Sequence, residues 1–498
     1  MSLSERQLGI YRAILEGIQI DPDAYQGVEI GQTPSSLSTT TRIEFADFAT
    51  AIFAAMGVLV NQLGQLRGLP QQQISIDRRH ACMMFNSIAY FFRAGWQVDI
   101  SAVHTPVNNF FRTRDNRWIF FNGAYPHLRA GLLRFLNSTD DRGAIARAVA
   151  QWDAQALEDE LGSLNLCAGM LRSREEWMAH PQGQALAAVP PIQLEFNGRP
   201  TRRQLSKGAV RPLQGVKVLD CTHVIAGPTI GRLLAEQGAD VIHVQYPYHD
   251  SILGFDLETS FGKKCVYLDF NDPRDRQRLL ELADQADVFI DGFRHGALEK
   301  HGFAAEALWE RNPGLIAVEA NCYGFNGPWA GRRGWEQLAQ SVTGLAYQHS
   351  VGRADPALIP AYFSDYGTGC LGAIGVLAAL EQQFTVGQGC RVRVSLARTA
   401  MLGLEYDENS EVGQPIGAED LERYLVDQES PHGLLTRVAP VAQMDQTPPY
   451  ARCPASYPGT ASLNAVWDSE PEKILQVTHS TTRIFRQDIA HWRGHQEL

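Results

Sequence analysis

The residues of this chain best suited to chemistry are two aspartates at the start of matching apolar segments. Residues 43–60 read IEFADFATAIFAAMGVLV and residues 361–378 read AYFSDYGTGCLGAIGVLA, so Asp47 and Asp365 align without a gap at an offset of 318 (365 minus 47). Each segment has the length and composition of a buried helix, which places its aspartate in the first turn. The N–H groups there stabilise an ionised carboxylate, the form that acts as a nucleophile. From the residues alone, nucleophile and helix cap are equally good interpretations of Asp365.

The same match continues beyond the two segments. Each is followed by a turn containing Gln and Gly, a β-branched run and a second helical stretch, with residues 74–76 aligned to residues 392–394. A fixed offset over several elements indicates an internal repeat. The sequence therefore predicts a partial duplication whose unit is helix, turn, strand and helix.

Short apolar strands alternate with amphipathic helices in the second half of the chain. This pattern predicts a doubly wound α/β domain with a mainly parallel sheet covered on both faces. Ligands of such domains bind beyond the carboxyl ends of the strands. We therefore expect the loops after Asp220, Gln245, Asp291 and Ala320 to wall the site, and the helix of Asp365 to close it.

A smaller α+β domain is predicted N-terminal to this large domain. Residues 110–123 read as a β-hairpin that turns at Asp115 and Asn116, and helical stretches follow to about Ser173. Residues 195–213 are polar, basic and broken by Gly and Pro, as a linker would be. The predicted organisation is a partial duplicate of large-domain helices over 1–104, a small α+β domain over 105–195, a linker over 196–212, a large Rossmann-like domain over 213–412 and an extended tail over 413–498.

Composition excludes several classes of protein. The net charge of −11 and the pI near 5.7 argue against a general nucleic-acid binder. The eight cysteines are scattered without C-x-x-C spacing, which fits buried thiols in a reducing compartment. The N-terminus lacks a signal-peptide pattern, and we find no apolar run of about 18 residues. We expect a cytoplasmic protein that does not bind membranes.

The loop after the first strand of the large domain, Thr222 to Pro228, enters a helix through Gly227. Such a helix start can accept an anion. It is not the G-x-G-x-x-G fingerprint, and Gln245 stands where an NAD-binding protein usually has an acidic residue. The 14 histidines show no metal-ligand spacing. We expect neither NAD nor a metal.

Several blocks of the sequence resemble the large domain of the family III CoA-transferases, the CaiB/BaiF-like family that includes formyl-CoA transferase and α-methylacyl-CoA racemase. The resemblance covers about 213–405 in unbroken order and rests on five blocks: LQGVKVLDCTHVIAGPTIGRLLAEQGADVIHV, GKKCVYLDF, ADVFIDGFRHGALEKHGF, NPGLIAVEANCYGFNGPWAGRRGWEQLAQSVTG and YFSDYGTGCLGAIGVLAALEQQFTVGQGCRVRVSL. Residues 110–195 resemble the small domain of the family, which normally follows the large domain. Here that domain precedes it, behind the duplicated piece, and GLLTRVAPVAQMDQTPP resembles the closing segment of the family.

The resemblance implies a role for Asp365. In the family this aspartate attacks an acyl-CoA, forms a mixed anhydride and becomes an aspartyl-CoA thioester that the acceptor acid resolves. Gly367 and Gly369 would leave the backbone open to the thioester and offer N–H groups to an oxyanion. Alanines stand at the matching places after Asp47, and only about forty residues precede it. We therefore expect Asp365 to be the nucleophile and Asp47 to be a helix cap.

The resemblance also implies the CoA-binding residues. Arg294 and Lys263 would face the CoA nucleotide and its phosphates, Gly227 would open the anion-binding loop, and Gln340 would lie near the thioester. For an isolated Lys or Arg a solvated surface position is the competing interpretation. For Gln340 it is an exposed position on a helix.

Departures from the family pattern limit what is implied. Gln245 and Tyr246 replace the acidic and basic pair of the family, and Ile225 replaces the Gln of formyl-CoA transferase. Where the racemases have Gly-His-Asp, this chain has Gly334, Trp335 and Glu336. Without an imidazole there, a two-base proton exchange lacks one of its partners.

The sequence favours a CoA-transferase acting on an acyl-CoA and a carboxylic acid, both small molecules. An acyl-CoA racemase, isomerase or lyase on the same site is the first alternative, and a non-catalytic acyl-CoA-binding subunit is the second. The resemblance also leaves a homodimer as an open option.

Overall fold

The structure is a computed structural model that describes residues 3–23, 28–31, 43–201, 207–406, 416–457, 459 and 467. The N-terminal part contains three helices and four short strands. These are α1 Glu5–Gly17, β1 Val28–Gly31, α2 Phe45–Leu66, β2 Ile74–Asp77, α3 Arg78–Met84, β3 Phe92–Arg93 and β4 Trp96–Gln97.

The next part combines a three-stranded sheet with five helices. Its elements are β5 Phe110–Arg112, β6 Trp118–Phe121, α4 Pro126–Leu136, α5 Arg142–Val149, α6 Ala154–Ser163, β7 Ala168–Met170, α7 Arg174–Ala179 and α8 Pro181–Ala187. The antiparallel pair β5–β6 is the predicted hairpin, and Asn116 at its turn has a φ of 66°. Asparagine tolerates this left-handed conformation better than most residues do, so the hairpin prediction is confirmed.

Strands and helices then alternate as the sequence pattern predicts. The elements are β8 Gln193–Pro200, β9 Lys217–Cys221, α9 Ala226–Glu236, β10 Asp240–Gln245, α10 Leu253–Thr259, β11 Lys263–Tyr267, α11 Pro273–Ala283, β12 Val288–Asp291, α12 Ala305–Arg311, β13 Ile316–Asn321, α13 Glu336–Thr343, α14 Leu345–His349, α15 Phe363–Thr385, β14 Gln388–Ser395 and α16 Leu396–Glu405.

These strands form one seven-stranded sheet in the order β11-β10-β9-β12-β13-β14-β8. All neighbours are parallel except β14 and β8. The predicted α/β class with a mainly parallel sheet is therefore confirmed. Successive strands are added towards one edge of the sheet from β9 to β11 and towards the other edge from β12 onwards. In open α/β sheets such a switch in strand order creates a crevice at the carboxyl ends of the two adjacent strands, here β9 and β12.

The predicted linker over 196–212 is wrong at its start. Strand β8 pairs with β14, with Phe196 opposite Cys390, so residues up to Pro200 belong to the large sheet. Gly and polar residues hide a strand here because β8 is an edge strand with many exposed side chains. Residues 202–206 lie outside the described part of the chain.

The predicted extended tail is also wrong where the structure describes it. Residues 416–457 contain α17 Ala418–Tyr424, β15 Leu425–Ser430, β16 Gly433–Val438 and β17 Gln443–Met444. The hairpin β15–β16 adds to β3, and β17 pairs with β2. This segment therefore completes two sheets of the N-terminal part, a long-range pairing that local sequence does not reveal.

The two matching segments pack in the same way. Helix α2, strand β2 and helix α3 follow each other as α15, β14 and α16 do. A Cβ atom on Gly57 would lie 2.9 Å from Ile74 Cγ2, and one on the aligned Gly375 would lie 2.4 Å from Val392 Cγ1. In both places a glycine lets the helix approach the strand that follows it.

Helices α2 and α15 lie against each other in the core. The rings of Phe48 and Phe363 are 4.7 Å apart between centroids, and Phe85 lies 5.7 Å from Phe363. Both helices are long and apolar enough to cross a membrane, over Ala46–Leu66 and Phe363–Thr385, but 94% and 100% of these windows are buried inside the protein. Their apolar surface is thus used in packing.

Candidate active site

A cavity of about 350 Å³ opens at the carboxyl ends of the parallel strands. Its walls include His223 after β9, His249 after β10, Phe293 after β12 and Asn321 at the end of β13. Asp365, in the first turn of α15, completes the lining. The cavity therefore lies at the crevice that the sheet topology predicts, between all four expected loops.

Asp365 lies beside a second carboxylate, Glu336, at the start of α13. The backbone N–H of Asp365 donates to Glu336 Oε2 at 2.7 Å, and that of Ser364 donates to Glu336 Oε1 at 3.1 Å. Glu336 thus takes the N–H groups that begin α15. Only Asp365 of the pair lines the cavity, so Asp365 faces the ligand space and Glu336 lies behind it.

Burial makes both carboxyl groups hard to ionise. It raises the pKa of Glu336 to about 7, although hydrogen bonds from Gln340 and from the α15 backbone lower it. Burial and the nearby charge of Glu336 raise the pKa of Asp365 well above its ordinary value. Asp365 forms no ion pair with the described basic residues. The charge of Glu336 also opposes ionisation of Asp365, so the two carboxyl groups titrate as a pair.

Gln340 holds Glu336 in place. Its Nε2 donates to Glu336 Oε1 at 2.8 Å and to the Ala361 carbonyl at 3.0 Å, while its Oε1 accepts from the N–H of Ile359 at 2.9 Å. Gln340 is buried and is not among the described residues that line the cavity. The structure therefore places it beside the carboxylate pair, behind the expected position near a thioester.

The cavity lining is strongly basic. Arg294, Arg332 and Arg333 line it together with four histidines, and Asp365 is the single acidic residue among the described lining residues. Arg294 is exposed and donates to Asn165 Oδ1 at 2.9 Å. Arg333 is half-buried and has no ion-pair partner within the described ranges. These guanidinium groups are available to an anionic ligand.

Lys263 lies elsewhere, contrary to its predicted role at the CoA phosphates. Its buried Nζ is 2.7 Å from Asp220 Oδ2 and 2.6 Å from the Pro228 carbonyl. Burial opposes ionisation of Asp220, but Lys263 and His243 hold its pKa below the ordinary value. The charge of Lys263 is thus used inside the protein. Its neighbour Lys264 points the other way and pairs with Asp240 at 2.8 Å.

Of the three predicted site glycines, only Gly227 lines the cavity. A Cβ atom on it would lie 2.5 Å from Thr222 Cβ, so a side chain there would collide with the start of the same loop. A Cβ atom on Gly367 would lie 2.8 Å from Thr399 Cγ2, and one on Gly369 would lie 2.5 Å from Thr229 Cβ. The last two glycines therefore let neighbouring helices approach α15 and do not open its backbone to a ligand.

An aromatic wall bounds the cavity, and most of its residues are not predicted as site residues from the sequence. Trp335 stacks on Tyr125 at 4.8 Å, and His223 contacts His249 at 4.4 Å between ring centroids. Burial and the neighbouring histidines lower the pKa of His223 to about 3, so its imidazole is neutral at physiological pH. Its Nδ1 is buried and forms no hydrogen bond with the described residues.

The loop that carries His223 is strained. Val224, which also lines the cavity, has a φ of 71°. A β-branched residue rarely adopts this left-handed conformation, and such strain is often found at functional sites. The local sequence does not predict this conformation, because left-handed positions favour Gly or Asn and disfavour a β-branched residue such as Val.

The N-terminal match of the site is filled by charged side chains. Glu44 caps α2 by accepting from the N–H groups of Ala46 and Asp47 at 3.1 and 3.2 Å. Asp47 Oδ1 lies 2.9 Å from Arg78 Nε. Arg78 aligns with Leu396, which lines the cavity at Asp365. An arginine thus occupies the region that is open in the other copy.

Asp47 is held from a second side as well. Its Oδ1 accepts from Gln7 Nε2 at 2.7 Å, and its Oδ2 lies 3.7 Å from Arg6. The expectation that Asp47 is a helix cap is therefore wrong in detail, since Glu44 is the cap. Asp47 instead belongs to a cluster of ion pairs.

Two further expectations concern metals and cysteines. Within the described ranges, no group of three or more His, Cys, Asp and Glu side chains is arranged to hold a metal ion. Seven of the eight cysteines are buried, and Cys453 is partly exposed. Burial raises the pKa of the Cys167 thiol to about 11, which keeps it protonated.

The model of CoA-transferase family III matches this chain over residues 22–202 and 213–422. The match covers more than half of the chain, and the chain belongs to this family.

Curated relatives carry related names. Acetyl-coenzyme A transferase nodX of Hypoxylon pulicicidum is 32% identical over 313 residues, covering 58% of this chain and 53% of its own length. The probable fatty acyl-CoA transferase Rv3272 of Mycobacterium tuberculosis is 33% identical over 211 residues, covering 40% of this chain and 53% of its own length. The chain spans about half the length of the curated relatives it matches.

A crystal structure of Rv3272 from M. tuberculosis is similar in part, with a TM-score of 0.38 and 33% identity over 42% of this chain and 56% of that one. A CAIB/BAIF family protein from Brucella suis gives a TM-score of 0.35 and 26% identity over 45% of this chain and 65% of that one.

Proposed function

We propose that the protein transfers CoA from an acyl-CoA to a carboxylic acid, with Asp365 as the nucleophile. One observation carries this proposal: a carboxylate without a basic partner among the described residues lines a basic cavity, with a second buried carboxylate, Glu336, behind it. A structural aspartate would be neutralised, as Asp47 is by Arg78 and Arg6. Keeping Asp365 buried and unpaired costs stability, which is typical of functional sites.

The chemistry follows from this arrangement. Ionised Asp365 attacks the thioester carbonyl and expels the CoA thiolate, forming a mixed anhydride. The thiolate attacks the aspartyl carbonyl, releases the first acid as its carboxylate and leaves an aspartyl-CoA thioester. The acceptor carboxylate attacks that thioester, forms a second mixed anhydride and displaces the CoA thiolate. The thiolate then attacks the acceptor carbonyl of this anhydride and releases the Asp365 carboxylate. The products are a new acyl-CoA and free Asp365, with no net proton change.

The basic lining supports CoA as the carrier. CoA has phosphate groups, and Arg294 and Arg333 offer planar, permanently charged donors suited to phosphate oxygens. The start of α9 at Gly227 adds N–H groups directed at the same cavity. These residues replace Lys263 in the proposed CoA site.

A covalent intermediate is the direct test. The protein is incubated with a set of acyl-CoAs, quenched and digested, and the peptide carrying Asp365 is examined by mass spectrometry. We expect a CoA adduct on Asp365 that hydroxylamine converts to a hydroxamate. Asp365→Asn, which keeps the size of the side chain, should show neither adduct nor turnover. A folded wild-type protein that binds CoA but forms no adduct with any acyl-CoA would support a non-catalytic binding subunit instead.

His223 favours one alternative function on the same site. Its imidazole lines the cavity, and its buried Nδ1 has no hydrogen-bond partner among the described residues, so a proton acceptor is present although the Gly-His-Asp motif is absent and the low pKa of His223 makes it a weak base. An acyl-CoA isomerase would use such a base to remove the proton α to the thioester. Incubation in deuterium oxide separates the two reactions, since an isomerase exchanges the α-hydrogen without an acceptor acid and a transferase does not.

A further inference from the structure

A second and larger cleft, of about 760 Å³, lies behind the wall of the active site. Three parts of the chain line it: Trp96 and Val98 near β4, Arg129 on α4, and Leu253 and Leu257 on α10. Trp96 and Leu253 are 53% and 50% exposed. Large apolar side chains brought together on an open surface are typical of a ligand-binding groove.

A small cavity of about 10 Å³, which we call the passage, lies between this cleft and the active site. It shares His223 and His249 with the cavity of Asp365, and it shares Tyr125 and Ser251 with the larger cleft. The segment 249–252 therefore lies between the two spaces.

The wall between the two spaces is thin. Tyr125 lines the cleft and stacks at 4.8 Å on Trp335, which lines the cavity of Asp365. Burial, Asp256 and then the charge of Asp365 raise the pKa of Tyr125, which places the phenol within electrostatic reach of the nucleophile. One pair of stacked rings thus separates the inner end of the cleft from the site.

The segment 249–252 is anchored at Ile252, which is buried and whose carbonyl accepts from the N–H groups of Phe255 and Asp256. The residues before it have weaker contacts. Asp250 Oδ2 lies 3.1 Å from His127 Nδ1, and because both side chains are about half exposed, this pair contributes little to stability. His249 Nε2 is buried without a hydrogen-bond partner among the described residues. Side chains of residues 249–251 are therefore held less firmly than Ile252.

A thioester attacked by Asp365 extends in two directions from its carbonyl, with CoA on one side and the acyl group on the other. Arg93 and Arg129 line the second cleft, but Arg294, Arg333 and the start of α9 line the cavity that holds Asp365, so we place CoA on that side. We propose that the second cleft binds the apolar body of the carboxylic acid, an aliphatic or aromatic acid too large for the first cavity, which passes beneath residues 249–252. This inference rests on the proposed CoA transfer at Asp365.

The test compares a long and a short acyl group. Ser251→Trp places a large ring in the passage, and Tyr248→Trp on the same loop is the control, because Tyr248 is 76% exposed and is not among the described residues that line the three cavities. We expect Ser251→Trp to lower the ratio of kcat/KM for decanoyl-CoA to that for acetyl-CoA at least about tenfold, since buried methylenes lose their contacts. Tyr248→Trp should leave the ratio unchanged.

A second pair of variants guards against a folding defect. Leu253→Glu puts a charge on an exposed position of the cleft, and Val351→Glu puts the same charge on an exposed apolar position elsewhere. Calorimetric titration with decanoate measures binding without turnover. We expect decanoate to bind the wild type and Val351→Glu, and to bind Leu253→Glu at least about tenfold more weakly.

The outcomes separate this inference from the proposed function. Decanoate binding that Leu253→Glu and Ser251→Trp leave unchanged would overturn the acid-binding cleft, even if the enzyme transfers CoA. Weakened decanoate binding in both variants, without a covalent adduct on Asp365 from any acyl-CoA, would support the cleft and count against CoA transfer.

Discussion

Two carboxylates meet at the active site, and their surroundings assign them different roles. Asp365 lines the cavity, whereas Glu336 accepts hydrogen bonds from Gln340 and from the start of α15. The hydrogen bonds fix Glu336, and burial keeps its pKa near 7. Glu336 is thus a positioning residue for the start of α15, while Asp365 is the proposed nucleophile.

Changing Glu336 to Gln should move the pH dependence of activity. In the wild type, lowering the pH protonates Asp365, whose pKa lies well above its ordinary value, and removes the nucleophile, so kcat/KM should fall as the pH is lowered. Glu336→Gln removes the like charge that raises the pKa of Asp365, and the acid limb should shift to lower pH. Glu281→Gln removes a charge from the exposed face of α11 and should leave the limb in place.

Stability gives a readout that does not depend on activity. Because burial raises the pKa of Glu336 from 4.5 to about 7, its contribution is most favourable below pH 4.5 and is lost as the pH rises to about 7. In urea titrations, Glu336→Gln should therefore gain up to about 3 kcal/mol relative to the wild type between pH 4.5 and 8. If Glu336→Gln changed neither the pH dependence of kcat/KM nor the free energy of unfolding, the two carboxyl groups would not be coupled.

The arginines of the cavity should contribute to CoA binding, whereas an exposed lysine outside the cavity should not. Arg333→Ala and Arg294→Ala should each weaken CoA binding by about 1–2 kcal/mol in calorimetry, because each removes a charge-assisted donor. Lys300→Ala, on an exposed position outside the described cavity lining, should have no effect and is the control. Unchanged affinity in both arginine variants would place the phosphates elsewhere.

At the scale of elements, two copies of one helix–strand–helix unit have different surroundings. The large sheet supplies the loops that make a cavity in front of Asp365. In front of Asp47 lie Arg78 from α3 and residues of α1, which neutralise the carboxylate. The same local structure therefore gives a reactive group in one copy and an ion-pair cluster in the other.

Replacing Asp47 should affect stability and not chemistry. Asp47→Ala removes one of the carboxylates that Arg78 contacts in a largely buried cluster and leaves Glu44 as the other, and loss of one member of such a cluster costs up to about 3 kcal/mol. Denaturant titration measures this loss, while the adduct on Asp365 should form as in the wild type. Loss of the adduct in a folded Asp47→Ala protein would show that the two sites depend on each other.

Much of the site could be predicted from sequence because it follows from sheet topology. Parallel strands end at one edge, so the loops after Asp220, Gln245, Asp291 and Ala320 had to converge there. When both faces of a sheet are covered, the sequence does not show which face a given side chain lies on. The sequence therefore could not show which of Lys263 and Lys264 is buried against Asp220. Strand β8 and the hairpin β15–β16 could not be predicted either, since their partners lie far away in sequence.

At the scale of the whole molecule, a buried polar network joins three parts of the chain. Arg232 on α9 pairs with Glu258 on α10, and Glu258 accepts from Ser87 of the N-terminal part. Glu258 Oε2 also accepts from Tyr366, the residue after Asp365, at 3.1 Å. Arg437 on β16 reaches the same network through Glu236 at 2.7 Å. The N-terminal part, the large sheet and the C-terminal hairpin are thus held together beneath the active site.

Removing the central charge of this network should weaken the whole protein. Glu258→Gln leaves the fully buried Arg232 without one of its two carboxylate partners, and breaking such a pair costs about 3–5 kcal/mol. Glu310→Gln is the matched control, since it breaks an exposed pair with Arg199 that is worth at most about 1 kcal/mol. Thermal unfolding followed by tryptophan fluorescence and circular dichroism should show one transition at a clearly lower temperature for Glu258→Gln. If the large sheet instead kept its melting temperature while the N-terminal part unfolded separately, the network would not couple these parts.

Because Tyr366 adjoins the proposed nucleophile, Glu258→Gln should also slow formation of the Asp365 adduct at temperatures where the variant is still folded, whereas Glu310→Gln should not.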